Sequence, residues 1–145
     1  GERCMAGSVA VPVGKIADPL VEAIRDKASK MTVGPTDTGA AVDMGPVISR
    51  EHRDKVASYL DVAKGEGATV ALDGRSAATG DGFLIGPSVL DKVAPGMRVA
   101  KEEIFGPVLS VVRAGDLDEA LAIGKGSPYG NGASIFTRSG YAARQ

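Results

Sequence analysis

One thiol stands in this chain of 145 residues, at Cys4. It lies between Gly1-Glu2-Arg3 and Met5-Ala6-Gly7-Ser8, just ahead of an apolar run. Small residues around a thiol let a substrate approach closely. A guanidinium next door, here Arg3, favours the thiolate, which is the nucleophilic form. A lone cysteine is equally often a small hydrophobe in a core, and at this point both readings stand.

The second group is Lys101-Glu102-Glu103-Ile104-Phe105-Gly106-Pro107-Val108. Two acids and an aromatic precede a Gly-Pro turn that leads into a strand. Carboxylates in that position can accept hydrogen bonds from sugar hydroxyls, and a ring can support a planar group. A charged turn with Phe105 plugged into the core accounts for the same residues. His52 is the single histidine, and it sits among Arg50, Glu51, Arg53 and Asp54. That setting reads as the solvated first turn of a helix. A histidine-based triad and a His-rich metal site therefore drop out, and no metal-ligand spacing stands out, so no metal is expected. Neither G-x-G-x-x-G nor G-x-x-x-x-G-K-[ST] occurs, which removes a phosphate-cradling loop from this chain. Gly130-Asn131-Gly132 follows Pro128-Tyr129 and reads as a tight turn.

The elements that must position these residues follow from periodicity. Ser8 to Val13 reads as a buried strand, with Pro12 placing it at an edge or an end. Asp18 as N-cap and Pro19 as first helical residue start a helix to about Met31, with Leu20, Ala23, Ile24 and Met31 on one face. Val33 to Pro46 is a loop by composition, long enough to suggest a function. Ser49 caps a second helix whose stripe is Val56, Tyr59, Leu60 and Ala63, with Gly65 as its stop. Ala68 to Leu72 is a strand, and Arg75 to Gly82 a polar turn region. Phe83 to Ile85, Ser88 to Leu90 and Val108 to Arg113 read as strands. Asp116 with Glu119 opens a third helix through about Lys125. Ala133 to Thr137 is a last strand, and Ser139 starts a further helix. This alternation predicts an α/β class with a mostly parallel sheet flanked by helices.

Bulk properties narrow the class further. Hydrophobic residues make up 43% and charged residues 24%, the range of a globular domain. A net charge of −1 gives no electrostatic footprint for nucleic acid or for an anionic membrane. No apolar run approaches the roughly 20 residues of a spanning helix. One cysteine cannot form an internal disulfide, so a reducing compartment is expected, cytoplasmic in a bacterium or the mitochondrial matrix. The chain opens on Gly1 rather than Met, close to its only thiol, which is expected of a piece of a longer protein.

Together these segments resemble the aldehyde dehydrogenase superfamily. Gly1-Glu2-Arg3-Cys4 is similar to its G-[QE]-x-C motif, and Glu102 to Val108 to its E-E-I-F-G-P-V motif, about a hundred residues downstream. Met44 to Ser49, Gly82 to Leu90 and Tyr129 to Gly132 resemble further stations in the same order, so the resemblance covers essentially the whole chain. Arg3-Cys4-Met5-Ala6 and Gly130 to Thr137 look most like the CoA-acylating methylmalonate-semialdehyde dehydrogenase branch.

The resemblance implies roles by position. Cys4 matches the nucleophile, Glu103 the acid that holds the nicotinamide ribose of NAD, and Phe105 a wall of the nicotinamide site. Arg3 matches a position that helps bind a substrate carboxylate, which a planar guanidinium can grip with two hydrogen bonds. Residues 1–145 would form part of the cysteine-bearing catalytic domain, with the cofactor-binding domain outside this chain. The implied reaction oxidises malonate or methylmalonate semialdehyde to acetyl- or propanoyl-CoA through a cysteine thioester, with coenzyme A as co-substrate. The partners implied are a small aldehyde and further copies of the chain, in a dimer or tetramer. A hydrolytic, NAD(P)-dependent aldehyde dehydrogenase is the alternative, and a truncated, inactive α/β module is another. By itself this piece is expected to lack dehydrogenase activity.

Overall fold

The structure, a computed structural model, describes residues 1–76 and 82–144. Four strands form one sheet: β1 (Val9–Ala10), β2 (Thr69–Leu72), β3 (Ser88–Asp91) and β4 (Val108–Val111), in the order β1-β4-β3-β2. β4 runs parallel to both β1 and β3, and β2 is antiparallel to β3 at the far edge. The mostly parallel sheet expected from the element order is present. Pro12 follows the short edge strand β1, where a missing N–H does not interrupt a central ladder.

The central strands explain why the sheet is covered on both sides. All four residues of β3 are buried, and three of the four in β4. Apolar residues on successive positions then face opposite layers. Leu90, Val108 and Val112 pack with Val56, Leu60 and Ala63 of α2 (Arg50–Gly65) in the main core. Val89 and Val111 point the other way and pack with Val21 of α1 (Ala17–Ala28). Burying a side chain such as Leu60 or Leu90, both with no exposed surface, contributes about 2–3 kcal/mol. Two shorter helices, α3 (Arg98–Lys101) and α4 (Leu117–Lys125), flank β4 in sequence.

The helix starts show how closely local chemistry is obeyed. Ser49 Oγ accepts from His52 N–H at 3.1 Å and caps α2 as expected. Its predicted stripe of Val56, Tyr59, Leu60 and Ala63 is its buried face. At α4, Asp116 Oδ1 accepts from Glu119 N–H, while Glu119 Oε2 reaches back to Gly115 N–H at 2.6 Å.

Several expectations need correction. Helix α1 begins at Ala17, because a 3-10 turn over Gly14–Ile16 already sets the helical path before Asp18. Asp18 is thus inside the first turn, and its carboxylate pairs with Arg113 at 2.8 Å instead of capping. The helix stops at Ala28, short of Met31, and buries Ala17 and Val21 with Ile24 half-covered; Ala23 is exposed. Phe83 to Ile85 forms no strand: Phe83 C=O accepts from Val47 N–H at 2.9 Å, so this backbone anchors the approach to α2. Ala133 to Thr137 forms none either, since no described strand lies alongside it, and Phe136 is 96% exposed. The expected polar turn at 75–82 lies partly outside the described residues.

Candidate active site

Sheet topology decides what Cys4 can meet. β1 and β4 are parallel neighbours, with Ser8 C=O accepting from Ser110 N–H at 3.0 Å. The segments that lead into them therefore lie at the same end of the sheet. One carries Cys4, and the other carries Glu103, Phe105 and Pro107.

The cysteine segment is a turn: Ala6 N–H donates to Arg3 C=O at 3.1 Å, with Cys4 and Met5 between them. Cys4 is exposed, and so is Arg3. Gly1 lies so close to the second segment that a Cβ there would overlap the Gly106 carbonyl. Glu2 Oε1 accepts from Ile48 N–H at 3.2 Å and stands 3.3 Å from His52 Nε2.

His52 is the joint that the one-dimensional reading misses. Its side chain is only 16% exposed, contrary to the solvated face expected. Nε2 donates to Phe105 C=O at 2.7 Å. Both neighbours of that nitrogen, a carbonyl and a carboxylate, can only accept, so Nε2 carries the hydrogen. Phe105 itself has φ +55°, a left-handed conformation that costs a side-chain-bearing residue about 1–2 kcal/mol. The His52 bond grips the carbonyl of that strained residue. Its spacing in the sequence places it only in the first turn of α2, three residues after the Ser49 cap.

The acid pair divides its labour. Glu102 accepts from Tyr59 Oη at 2.7 Å and from Arg98 Nε at 2.7 Å. The Arg98 hydrogen bonds, then that of Tyr59, lower its carboxyl to about 2. Glu102 is thereby spent on tying α2 to α3. The Glu103 side chain is exposed and has no hydrogen-bond partner among the described residues. Its backbone N–H donates to Tyr129 Oη at 3.3 Å.

The segment after α4 closes the group. Besides Tyr129, Asn131 Nδ2 donates to the Cys4 carbonyl oxygen. A shallow pocket of about 410 Å³ lies beside the turn, between Glu2 and Arg3, Asp43 to Val47, and Pro107. The long loop expected at 33–46 thus contributes a wall, held at its base by Asp43 Oδ2 accepting from Thr32 N–H at 2.8 Å. Among the described residues there is no cluster of three His, Cys, Asp or Glu side chains that could hold a metal.

All four residues singled out in the sequence are at this end of the sheet, Arg3 and Cys4 on one segment and Glu103 and Phe105 on the other. A sequence model of the aldehyde dehydrogenase family matches residues 1–145.

The chain belongs to the aldehyde dehydrogenase family.

It is 48% identical to malonate-semialdehyde dehydrogenase 3 of Geobacillus kaustophilus, covering 100% of this chain and 30% of that protein. Against the crystal structure of methylmalonate-semialdehyde dehydrogenase from Oceanimonas doudoroffii it has a TM-score of 0.93 at 45% identity, over 99% of this chain and 30% of that one. Betaine aldehyde dehydrogenase from Staphylococcus aureus, in complex with NAD+, matches with a TM-score of 0.91 at 36% identity, over 99% and 29%. This aldehyde dehydrogenase chain therefore spans about 30% of the length of the relatives it matches. No helix among its described residues is long and apolar enough to cross a membrane.

Proposed function

We propose that Cys4 is the nucleophile of an NAD-dependent aldehyde oxidation carried out by the protein to which this chain belongs. The observation that carries this reading is the shared sheet end: an exposed thiol lies on one segment, and the neighbouring segment carries a free carboxylate and an aromatic ring. The Cys4 thiolate adds to the aldehyde carbon and forms a thiohemiacetal. The Cys4 backbone N–H is available to stabilise the oxyanion. Loss of hydride from that carbon leaves a thioester on Cys4.

NAD, when bound, supplies the acceptor for that hydride. The residues present fit its nicotinamide end: Glu103 offers unpaired carboxylate oxygens to ribose hydroxyls, and Phe105 offers a ring two residues on. In this reading a dinucleotide-binding domain lies outside residues 1–145. Residues 1–145 are read as a portion of the catalytic domain, and no turnover is expected of them alone.

The finer reading is a CoA-acylating semialdehyde dehydrogenase. The names of the malonate-semialdehyde relatives support the semialdehyde part, as does Arg3 at the pocket rim, a guanidinium suited to a substrate carboxylate. The acylating part rests on the resemblance of Arg3-Cys4-Met5-Ala6 and Gly130 to Thr137 to that branch. A CoA thiolate displaces Cys4 from the thioester and regenerates the free thiolate. With a malonate-type substrate the β-carboxylate leaves as CO2, and the carbanion left behind takes a proton. The working protein is a homo-oligomer in a reducing compartment.

Full-length protein assayed for NADH with malonate semialdehyde, with and without CoA, tests both levels. Acyl-CoA formation that disappears in Cys4→Ala supports the whole reading. NADH formation indifferent to CoA, with a free acid as product, overturns the acylating part. Undiminished turnover in Cys4→Ala overturns the nucleophile.

A further inference from the structure

We infer that Tyr129-Gly130-Asn131 is a two-point clasp, in which Asn131 positions the nucleophile turn and Tyr129 positions the segment of Glu103. The inference rests on the reading of Cys4 and Glu103 above, but its geometry stands apart from it. The segment has no regular secondary structure and is exposed throughout. Such a stretch ordinarily has nothing to hold its side chains in one place. Yet its two polar side chains reach two different segments of the candidate site. Asn131 Nδ2 donates to Cys4 C=O across 127 residues of sequence, and Tyr129 Oη accepts from Glu103 N–H across 26.

Each bond acts on a backbone group, so each fixes a peptide plane and not a side-chain rotamer. The Cys4 carbonyl belongs to the peptide between Cys4 and Met5, the middle of the Arg3–Ala6 turn. Holding that plane fixes ψ of Cys4, and with it the path of the turn that carries both Sγ and the Cys4 N–H. Those two atoms must bracket one carbonyl group in the reaction proposed. The Glu103 N–H, likewise, sets where the carboxylate leaves the chain. Both contacts come from residues only two apart, so one short stretch of backbone anchors both segments. Misplacement by about 1 Å is enough to cost a reaction roughly a hundredfold in rate. The clasp thus sets the spacing between nucleophile and cofactor acid, without itself touching substrate.

The two points are separable by substitution in full-length protein. Asn131→Leu keeps side-chain size and removes the donor; Tyr129→Phe removes only the hydroxyl. Amide hydrogen exchange read by mass spectrometry reports each directly. We expect Asn131→Leu to speed exchange at Ala6, whose N–H closes the turn, by at least threefold, with Asn131→Gln falling between. Tyr129→Phe should speed exchange at Glu103 and leave Ala6 unchanged. In the oxidation assay Asn131→Leu lowers kcat about tenfold at constant KM for NAD, whereas Tyr129→Phe raises KM for NAD. Unchanged Ala6 exchange in Asn131→Leu overturns the clasp, as does a uniform rise in exchange over the whole sheet. If the unsubstituted protein oxidises no aldehyde, the proposed function fails, and the exchange pattern still decides the clasp.

Discussion

His52 Nε2 donates to the carbonyl oxygen of Phe105 at 2.7 Å, joining the first turn of α2 to the left-handed residue ahead of β4. The same nitrogen lies 3.3 Å from Glu2 Oε1 on the cysteine segment. One imidazole therefore touches both segments of the candidate site. It also supplies hydrogen-bond energy at the one site residue whose backbone is strained.

Removing that imidazole should loosen the site without unfolding the sheet. His52→Leu leaves a half-buried carbonyl unpaired, which destabilises this region by about 1–3 kcal/mol. His52→Gln, which can still donate, should recover part of it. Native-state hydrogen exchange at Phe105 and its neighbours measures the loss locally. Equal protection in His52→Leu and the parent would show that Phe105 holds its conformation unaided.

Gly106 is required by a close approach. A Cβ placed there would lie 2.5 Å from Val56 Cγ2, and Val56 is fully buried in α2. Gly106→Ala should cost about 1–3 kcal/mol, since a β-branched side chain in a packed helix cannot rotate away. Val56→Ala alone costs about 2 kcal/mol through its cavity. In the double variant the new methyl enters that cavity, so the combined loss falls below the sum by at least about 1 kcal/mol. Strict additivity in denaturant unfolding would refute the contact.

Glu102 and Glu103 should give opposite phenotypes. Charged hydrogen bonds to hydroxyls contribute about 1.5–3 kcal/mol, so Glu103→Ala raises KM for NAD roughly 10- to 100-fold with little change in unfolding midpoint. Glu102→Ala lowers the midpoint and leaves KM for NAD within about threefold. The reverse assignment of the two effects would exchange their roles.

The Glu102 contacts also predict a pH signature. The Arg98 and Tyr59 hydrogen bonds lower this carboxyl from 4.5 to about 2 in the folded state. A depressed folded value means that the stabilisation is present in full above 4.5. It is lost as pH falls from there towards 2. Comparing the unfolding midpoint of the parent with Glu102→Gln should show a difference at pH 6 that shrinks below pH 4.5 and is gone near pH 2. A difference constant over that range would mean the carboxylate charge contributes nothing.

Arg113 offers a test of burial against exposure. It pairs with Asp91 at 2.7 Å and with Asp18 at 2.8 Å, but the Asp91 side chain is 8% exposed and that of Asp18 84%. Asp91→Asn should lower the melting temperature by several degrees, and Asp18→Asn by no more than about one, because water screens the exposed pair. Equal shifts would show that burial does not set the worth of these pairs.

Much of this molecule is local chemistry, legible along the chain. Ser49 and Asp116 cap their helices because a side-chain oxygen there meets N–H groups left free by the helix itself. The stripe of Val56, Tyr59, Leu60 and Ala63 is buried because 3.6 residues per turn puts those positions on one side. Cys4, Arg3, Glu103 and Phe105 could be singled out for the same reason: their chemistry resides in their own types and neighbours. Tertiary structure alone decided what these residues meet. The parallel pairing of β1 with β4 sets the cysteine turn beside the Phe105 segment, and no periodicity encodes a pairing across a hundred residues. It also turned His52 inward, separated a structural Glu102 from a free Glu103, and left Ala133 to Thr137 without a strand. A strand exists only where another backbone offers its N–H and C=O groups, and among the described residues none is there to do so.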